Sequence, residues 1–236
     1  MVVGPGSIGV VDALILAAGD ASPRAILDAA WPGWAANVGL VIAADGGVRH
    51  AGALGFRIDR WVGDGDSLAP GARGELEAAG VPLDRVPAGK DESDTELAVR
   101  MAVGLGAGGV ILVGALGGDR IDHALANIGL LWSPDLAGRP AAILDGRARI
   151  RGIRAPDPEG RSVWLDLPGR IGDIVSLLPA GDVAEGVTTV GLAYPLLDEP
   201  LPAGPARGLS NVRAATDAAV ALREGRLLVV ESPATL

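Results

Sequence analysis

The chain has 236 residues, a formal net charge of −9 and 49% hydrophobic residues. This is enough chain for one large or two small domains with a substantial core, and the acidic balance argues against nucleic acid or an anionic membrane surface as a partner. With no cysteine and only His50 and His123 as histidines, disulfides and thiolate catalysis are excluded and a structural zinc site is not expected.

The apolar N-terminus lacks a positive leading region and is interrupted by Asp12, so it does not read as a signal peptide. The uncharged stretch from Met101 to Gly118 approaches spanning length, but seven glycines divide it into a helix end, a turn and a strand. No membrane association is expected, and the protein is read as cytoplasmic.

Strand-like runs at Ala13–Ala17, Leu40–Ala44, Arg60–Gly63, Leu83–Pro87, Val110–Gly114 and Ala141–Leu144 alternate with helical stretches. The helices are expected near Pro23–Ala36, Gly47–Leu54, Pro70–Ala79, Asp94–Leu105 and Arg120–Trp132. Alternation of this kind predicts βαβ units, hence an α/β domain with a parallel sheet and helices on both faces. In two helices the apolar spacing predicts a core-facing stripe: Leu97, Met101 and Leu105 in one, and Ile121, Leu125, Ile128 and Trp132 in the other.

After Gly146 the character changes to short strand-like runs separated by Pro and Gly, at Arg149–Ile153, Ser162–Leu167, Ile174–Leu178 and Thr188–Gly191. Ala218–Arg223 and Arg226–Glu231 flank Glu224-Gly225, which reads as a hairpin turn. The expected division is an α/β domain over residues 1–146 and a small all-β sandwich over 147–236.

Four acidic motifs follow the apolar runs: Asp45-Gly46-Gly47, Asp64-Gly65-Asp66-Ser67, Lys90-Asp91-Glu92-Ser93-Asp94-Thr95-Glu96, and Asp119-Arg120-Ile121-Asp122-His123. In a parallel sheet all four fall on the carboxyl edge, where ligands of such sheets bind. Carboxylates gathered there repel one another unless a cation sits among them, which predicts a magnesium–phosphate site. Asp64 and Asp66, two residues apart around a glycine, can converge on one cation; a surface turn with Asp66 or Ser67 capping the next helix is the alternative. Ser93 and Glu96 fit a capping box, which leaves Asp91 and Asp94 over, and Asp94 is the choice for a third metal ligand. Lys90, the single lysine of the chain, suits a phosphate as a point charge. Arg120 suits bidentate contact with phosphate oxygens, with Asp122 holding it or reaching the substrate; His123 fits a structural or a catalytic role equally.

The pattern Gly4-x-Gly6-x-x-Gly9 precedes a strand, as does Gly104-x-Gly106-x-x-Gly109, so neither supports a nicotinamide cofactor.

In order, the four motifs followed by Gly191-Leu192-Ala193-Tyr194-Pro195-Leu196 and Ser210-Asn211 resemble thiamine pyrophosphokinases over nearly the whole chain. The resemblance implies pyrophosphoryl transfer from ATP to the hydroxyl of thiamine, giving thiamine diphosphate and AMP, in a homodimer with active sites at the subunit interface. It implies magnesium on Asp64, Asp66 and Asp94, with Asp66, Asp94 and Arg120 serving catalysis. Asp45, Gly46 and Gly47 would line the nucleotide site, completed by Ser67, Lys90, Asp91, Thr95, Asp122 and His123. Tyr194, Ser210 and Asn211 would hold thiamine. This chain departs from the pattern in Ser93 for the commoner Thr, in Asp119 between the paired glycines and Arg120, and in Ala193 for a common Lys. A nucleotide- or thiamine-sensing module without turnover is the rival reading, and a metal-dependent glycosyltransferase a more distant one.

Overall fold

The computed structural model describes residues 13–234; the Gly4–Gly9 pattern and Asp12 lie outside the described residues. The chain divides into two compact units between Gly146 and Arg147.

The first unit carries six parallel strands: β1 (Ala13–Leu16), β2 (Leu40–Ala44), β3 (Arg60–Gly63), β4 (Leu83–Arg85), β5 (Val110–Val113) and β6 (Ala141–Leu144). Their pairing gives the order β6-β5-β1-β2-β3-β4. The chain winds outward from β1 to β4 and then returns to the other side of β1, so the order switches beside β1. Five α-helices join the strands: α1 (Arg24–Ala30), α2 (Ala51–Leu54), α3 (Ala72–Ala78), α4 (Asp94–Gly104) and α5 (Ile121–Gly129).

The central strands are buried along their whole length, as expected for a sheet covered on both faces. Leu14, Leu16, Val41, Ile111 and Val113 pack with Leu27 of α1 and Leu54 of α2. Ile15, Ile42 and Leu112, alternating with these, are wholly buried, and α4 lies across β1, β2 and β3. Gly47 marks the tightest approach in this unit, because a Cβ there would stand 1.9 Å from the Leu16 carbonyl oxygen at the end of β1.

Both expected helix stripes are corrected. On α4 the buried residues are Thr95, Ala98, Val99 and Ala102, while Leu105 is 49% exposed. These four positions recur at i, i+3, i+4 and i+7, also a helical period, and their small side chains let the helix axis come close to the sheet, while Leu97 and Met101 are half-buried. On α5, Ile121 and Leu125 are 71% and 64% exposed. That helix is anchored instead by buried Asn127, whose amide donates to the Ala115 carbonyl at 2.9 Å.

The second unit is all β: β7 (Arg149–Ala155), β8 (Val163–Pro168), β9 (Ile174–Pro179), β10 (Val183–Val190), β11 (Glu199–Pro202), β12 (Asn211–Val212), β13 (Asp217–Leu222) and β14 (Gly225–Ser232). Antiparallel pairing gives one set in the order β12-β9-β14-β7 and a four-stranded sheet in the order β11-β10-β13-β8. Their inner residues, among them Leu167, Leu177, Val187, Val220, Leu222, Leu227 and Val229, form one core.

Glu224-Gly225 is a turn but not a hairpin. β13 pairs with β8 and β10, whereas β14 pairs with β7 and β9, so the turn carries the chain from one sheet to the other. Glu224 forms an antiparallel bridge with Glu185, and Gly225 (φ 100°) lies where a Cβ would meet the Val183 carbonyl oxygen at 2.8 Å. Pairing with β10 at the corner thus replaces pairing between the two flanking strands. Among the described residues, no helix is long and apolar enough to cross a membrane.

The face that α4 presents to the sheet can be tested by substitution. Ala102→Leu should overpack that interface and cost about 1–3 kcal/mol in urea unfolding, whereas Leu105→Ala should stay within about 0.5 kcal/mol of the unaltered chain. The reverse ranking would restore the Leu97–Leu105 stripe as the buried face.

Candidate active site

Asp45 begins where β2 ends. Its backbone is left-handed (φ 42°), a conformation that costs an L-residue roughly 1–2 kcal/mol and that Asp tolerates better than most. The turn drives the side chain inward, leaving it 3% exposed, and Gly63 makes the room: a Cβ on Gly63 would lie 2.9 Å from that of Asp45. One Asp45 carboxylate oxygen accepts the Gly65 N–H at 3.1 Å and the other accepts the Ser67 N–H at 3.2 Å. Its carbonyl accepts the Trp61 indole N–H at 3.1 Å. The carboxylate therefore fastens the loop after β3 to the end of β2.

That loop carries the next two carboxylates. Asp64 Oδ1 accepts the Asp66 N–H at 3.0 Å, a turn that Gly65 (φ 87°) permits, and the Ser67 hydroxyl donates to Asp66 Oδ1 at 3.0 Å. Arg85 donates to the Asp64 carbonyl at 3.2 Å. Asp45, Asp64 and Asp66 each offer an oxygen, all within 4.8 Å of one another. A cavity of about 210 Å³ adjoins the loop, lined by Trp61, Gly65, Leu68, Leu83, Arg73 and Arg85.

The electrostatics match the crowding. Burial raises the Asp45 carboxyl above the usual carboxylate range, against the lowering effect of Ser67, and the charges of Asp94 and Asp66 push it further up. Asp64 is lowered, chiefly by the Asp66 N–H, with the charge of Lys90 adding to it. Lys90 is pulled down by burial, but the contact with Asp94 and the charges of Asp94, Asp64 and Asp45 outweigh this and raise it. Three carboxylates so placed, offering only hard oxygen donors, fit a divalent cation of the magnesium class.

Asp94 opens α4 and is ion-paired with Lys90 at 2.9 Å. Ser93 is the N-cap, its hydroxyl accepting the Glu96 N–H at 3.1 Å, while the Glu96 carboxylate turns to Arg100 at 2.7 Å. Thr95 faces the sheet and is buried, whereas Asp91 is exposed. Arg120 and Asp122 form an exposed fork, with Nε to Oδ1 at 2.9 Å and NH2 to Oδ2 at 2.6 Å, which pulls Asp122 down to about 2. His123 beside them is exposed.

Three residues outside the acidic motifs organise the same edge. Asp20, just after β1, accepts the Gly118 N–H at 2.9 Å and so holds the paired-glycine loop that leads to Arg120. Arg49 donates to the carbonyls of Ala18, Gly19 and Gly46, and the His50 ring meets the Gly19 carbonyl at 2.8 Å. Burial lowers His50. Asp20 stands on the carboxyl edge by the same rule that singled out the other motifs, so its position was available to sequence reasoning; Arg49 and His50 had no such signal.

In the second unit, Asn211 clamps Tyr194. Its Oδ1 accepts the Tyr194 N–H at 3.0 Å, and its Nδ2 donates to the Tyr194 carbonyl at 2.6 Å. Ser210 (φ 55°) is held by its own N–H, which donates to the Ser176 hydroxyl at 3.1 Å. The Tyr194 side chain stays 63% exposed. Tyr194, Ser210 and Asn211 thus gather in one loop region.

Residues 33–141 match the family model for the thiamin pyrophosphokinase catalytic domain, and residues 164–227 match that for the thiamin pyrophosphokinase vitamin B1 binding domain. No curated protein sequence matches the chain. Among solved structures, the thiamine pyrophosphokinase of Bacillus subtilis is 22% identical with a TM-score of 0.77, over 94% of this chain and 98% of that one. The thiamin pyrophosphokinase of Geobacillus thermodenitrificans is 25% identical with a TM-score of 0.75, over 94% and 97%. The enzyme of Candida albicans keeps the fold at 13% identity, with a TM-score of 0.74 over 95% and 90%. The two domain matches, in order and together spanning most of the sequence, place this chain in the thiamin pyrophosphokinase family of enzymes.

Proposed function

We propose that the chain is a cytoplasmic, magnesium-dependent enzyme that transfers the pyrophosphoryl group of ATP to the hydroxyethyl oxygen of thiamine. The hydroxyl oxygen bonds to the β-phosphorus, the bond from that phosphorus to the oxygen bridging to the α-phosphorus breaks, and that oxygen leaves with AMP. The hydroxyl proton is released. The observation that carries this reading is the convergence of Asp45, Asp64 and Asp66 on the sheet edge of a chain with both family domains.

Asp64 and Asp66 would hold the cation, with Asp45 within reach of the same point and Asp94 approaching from the start of α4. When bound, magnesium would neutralise phosphate oxygens and the charge that develops at the attacked phosphorus. Lys90, ion-paired with Asp94 and near the charges of Asp64 and Asp45, would meet phosphate as a compact charge. Arg120 presents a planar fork that Asp122 occupies and that a phosphate would engage in the same bidentate manner. Positioning supplies most of the rate in such transfers, with little demand for a strong base. Asp45 serves this by fixing the loop, since both of its oxygens are bonded to backbone N–H groups.

We also propose a homodimer with the active sites at its subunit interface. Supporting it are the apolar side chains of Ile121 and Leu125, exposed on α5 directly after Arg120. Burying them against a second copy removes apolar surface from water.

Incubation with thiamine, ATP and magnesium should give equimolar AMP and thiamine diphosphate by chromatography. Chelation of the metal should abolish the products, and Asp66→Asn should lower turnover at least about 100-fold without loss of fold. ADP with thiamine monophosphate would place the attack at the wrong phosphorus, and binding of both substrates without product would favour the sensing module. Light scattering should give twice the 23.7 kDa chain mass, shifting toward one chain in Leu125→Glu; a monomer in the unaltered protein would sink the dimer.

A further inference from the structure

The second unit buries a cluster of charges that the proposed reaction does not use. Arg149 opens β7 and stands directly across from Glu231 of β14, with Arg151 two residues along the same face. Arg213 follows β12. All four side chains are nearly withdrawn from water, Arg213 and Glu231 to 1% exposure.

Glu231 is saturated. Its Oε2 accepts Arg149 Nε at 2.8 Å and Arg151 NH2 at 2.7 Å, and its Oε1 accepts Arg149 NH2 at 2.7 Å and Arg213 NH2 at 3.0 Å. A carboxylate has about four such positions, so it can take no further donor. Arg149 also donates to the Pro168 carbonyl at 2.6 Å. Three donors remain without a partner among the described residues: Arg151 Nε, Arg213 Nε and Arg213 NH1, all buried. Gly169 lies against Arg213, where a Cβ would come within 2.8 Å of Nε, so the backbone there leaves the guanidinium its place.

The charges do not balance either. Three guanidinium groups face one carboxylate. Asp173 is near enough to favour the charged form of Arg213, but its oxygens already accept the N–H groups of Arg170 and Ala234. Counting Asp173 in full, one positive charge among Arg149, Arg151 and Arg213 has no carboxylate of the described residues to match it, and uncompensated buried charge is costly. Burial accordingly lowers both Arg151 and Arg213, against the raising effect of Glu231.

We propose that this cluster is a binding site for a small monovalent inorganic anion of the halide class, held by Arg213 and Arg151. One negative charge with no donors of its own would neutralise the excess and accept the orphaned N–H groups of Arg213 NH1 and Arg151 Nε. The anion would be structural, tying β7 to the chain that follows β12.

The test is thermal unfolding of the full chain at constant ionic strength, exchanging sodium gluconate for sodium chloride or bromide. The melting temperature should rise saturably, by roughly 5 °C well above the dissociation constant, because the anion binds only the folded state. In Arg213→Met the halide response should vanish. Bromide-soaked crystals of the unaltered protein, which do not depend on that variant folding, should give an anomalous peak within hydrogen-bond reach of Arg213 NH1 and Arg151 Nε. Equal melting temperatures in gluconate and halide would overturn the proposal, as would water or a protein carboxylate seated at that position.

Discussion

The carboxylate of Asp45 is the constraint on which the acidic sheet edge depends. It is buried at the end of β2, yet its bonding partners belong to the loop after β3, so one side chain fixes two neighbouring strand ends. Its burial makes the two N–H bonds obligatory, because an unpaired carboxylate in that position would cost several kcal/mol. Asp64 and Asp66 then stand where they do because the loop has no freedom to carry them away. The left-handed backbone at Asp45 and the bare face of Gly63 are the local conditions for this arrangement.

A second constraint acts from the other side of the switch in strand order. Asp20 holds the Gly117-Gly118 loop, and Arg49 holds the chain between β1 and Asp20 by its carbonyls. The loops after β1, β2 and β5 are thereby cross-linked by side chains to backbone. Arg49 also reaches the Gly46 carbonyl, which joins this group to Asp45. Positioning of this kind is what a phosphoryl transfer asks of a protein.

The parts of the fold legible in the sequence were those decided locally. β2, β3 and β6 have the bounds that their apolar runs suggest, since each run is bracketed by turn residues. The Asp64–Ser67 turn was legible for the same reason, as its bonds span one or two residues. The buried face of α4 was not, because two stripes share the helical period and the larger side chains give the stronger signal. Only the distance to the sheet decides between Leu97 and Ala98, and that is a tertiary quantity. β11 was hidden by Pro200 and Pro202, and β12 by its length of two residues. The place of Asp20 on the carboxyl edge was legible, but its bond to Gly118 spans 98 residues and that of Arg49 to Gly19 spans 30, so neither partner follows from a local pattern.

The two units treat buried charge in opposite ways. The first gathers carboxylates at a sheet edge with one lysine among them, an arrangement whose mutual repulsion a cation would relieve. The second gathers guanidinium groups around one glutamate inside a β core, and the deficit there has the other sign. In β7 the arginines of Arg149-Ile150-Arg151 stand at alternate positions on one face, and that face is buried with Glu231 opposite Arg149. A net charge of −9 for the chain reveals neither feature. In each place the described side chains carry an excess of one sign, and such an excess in a buried site is a physical argument for a ligand of the opposite sign.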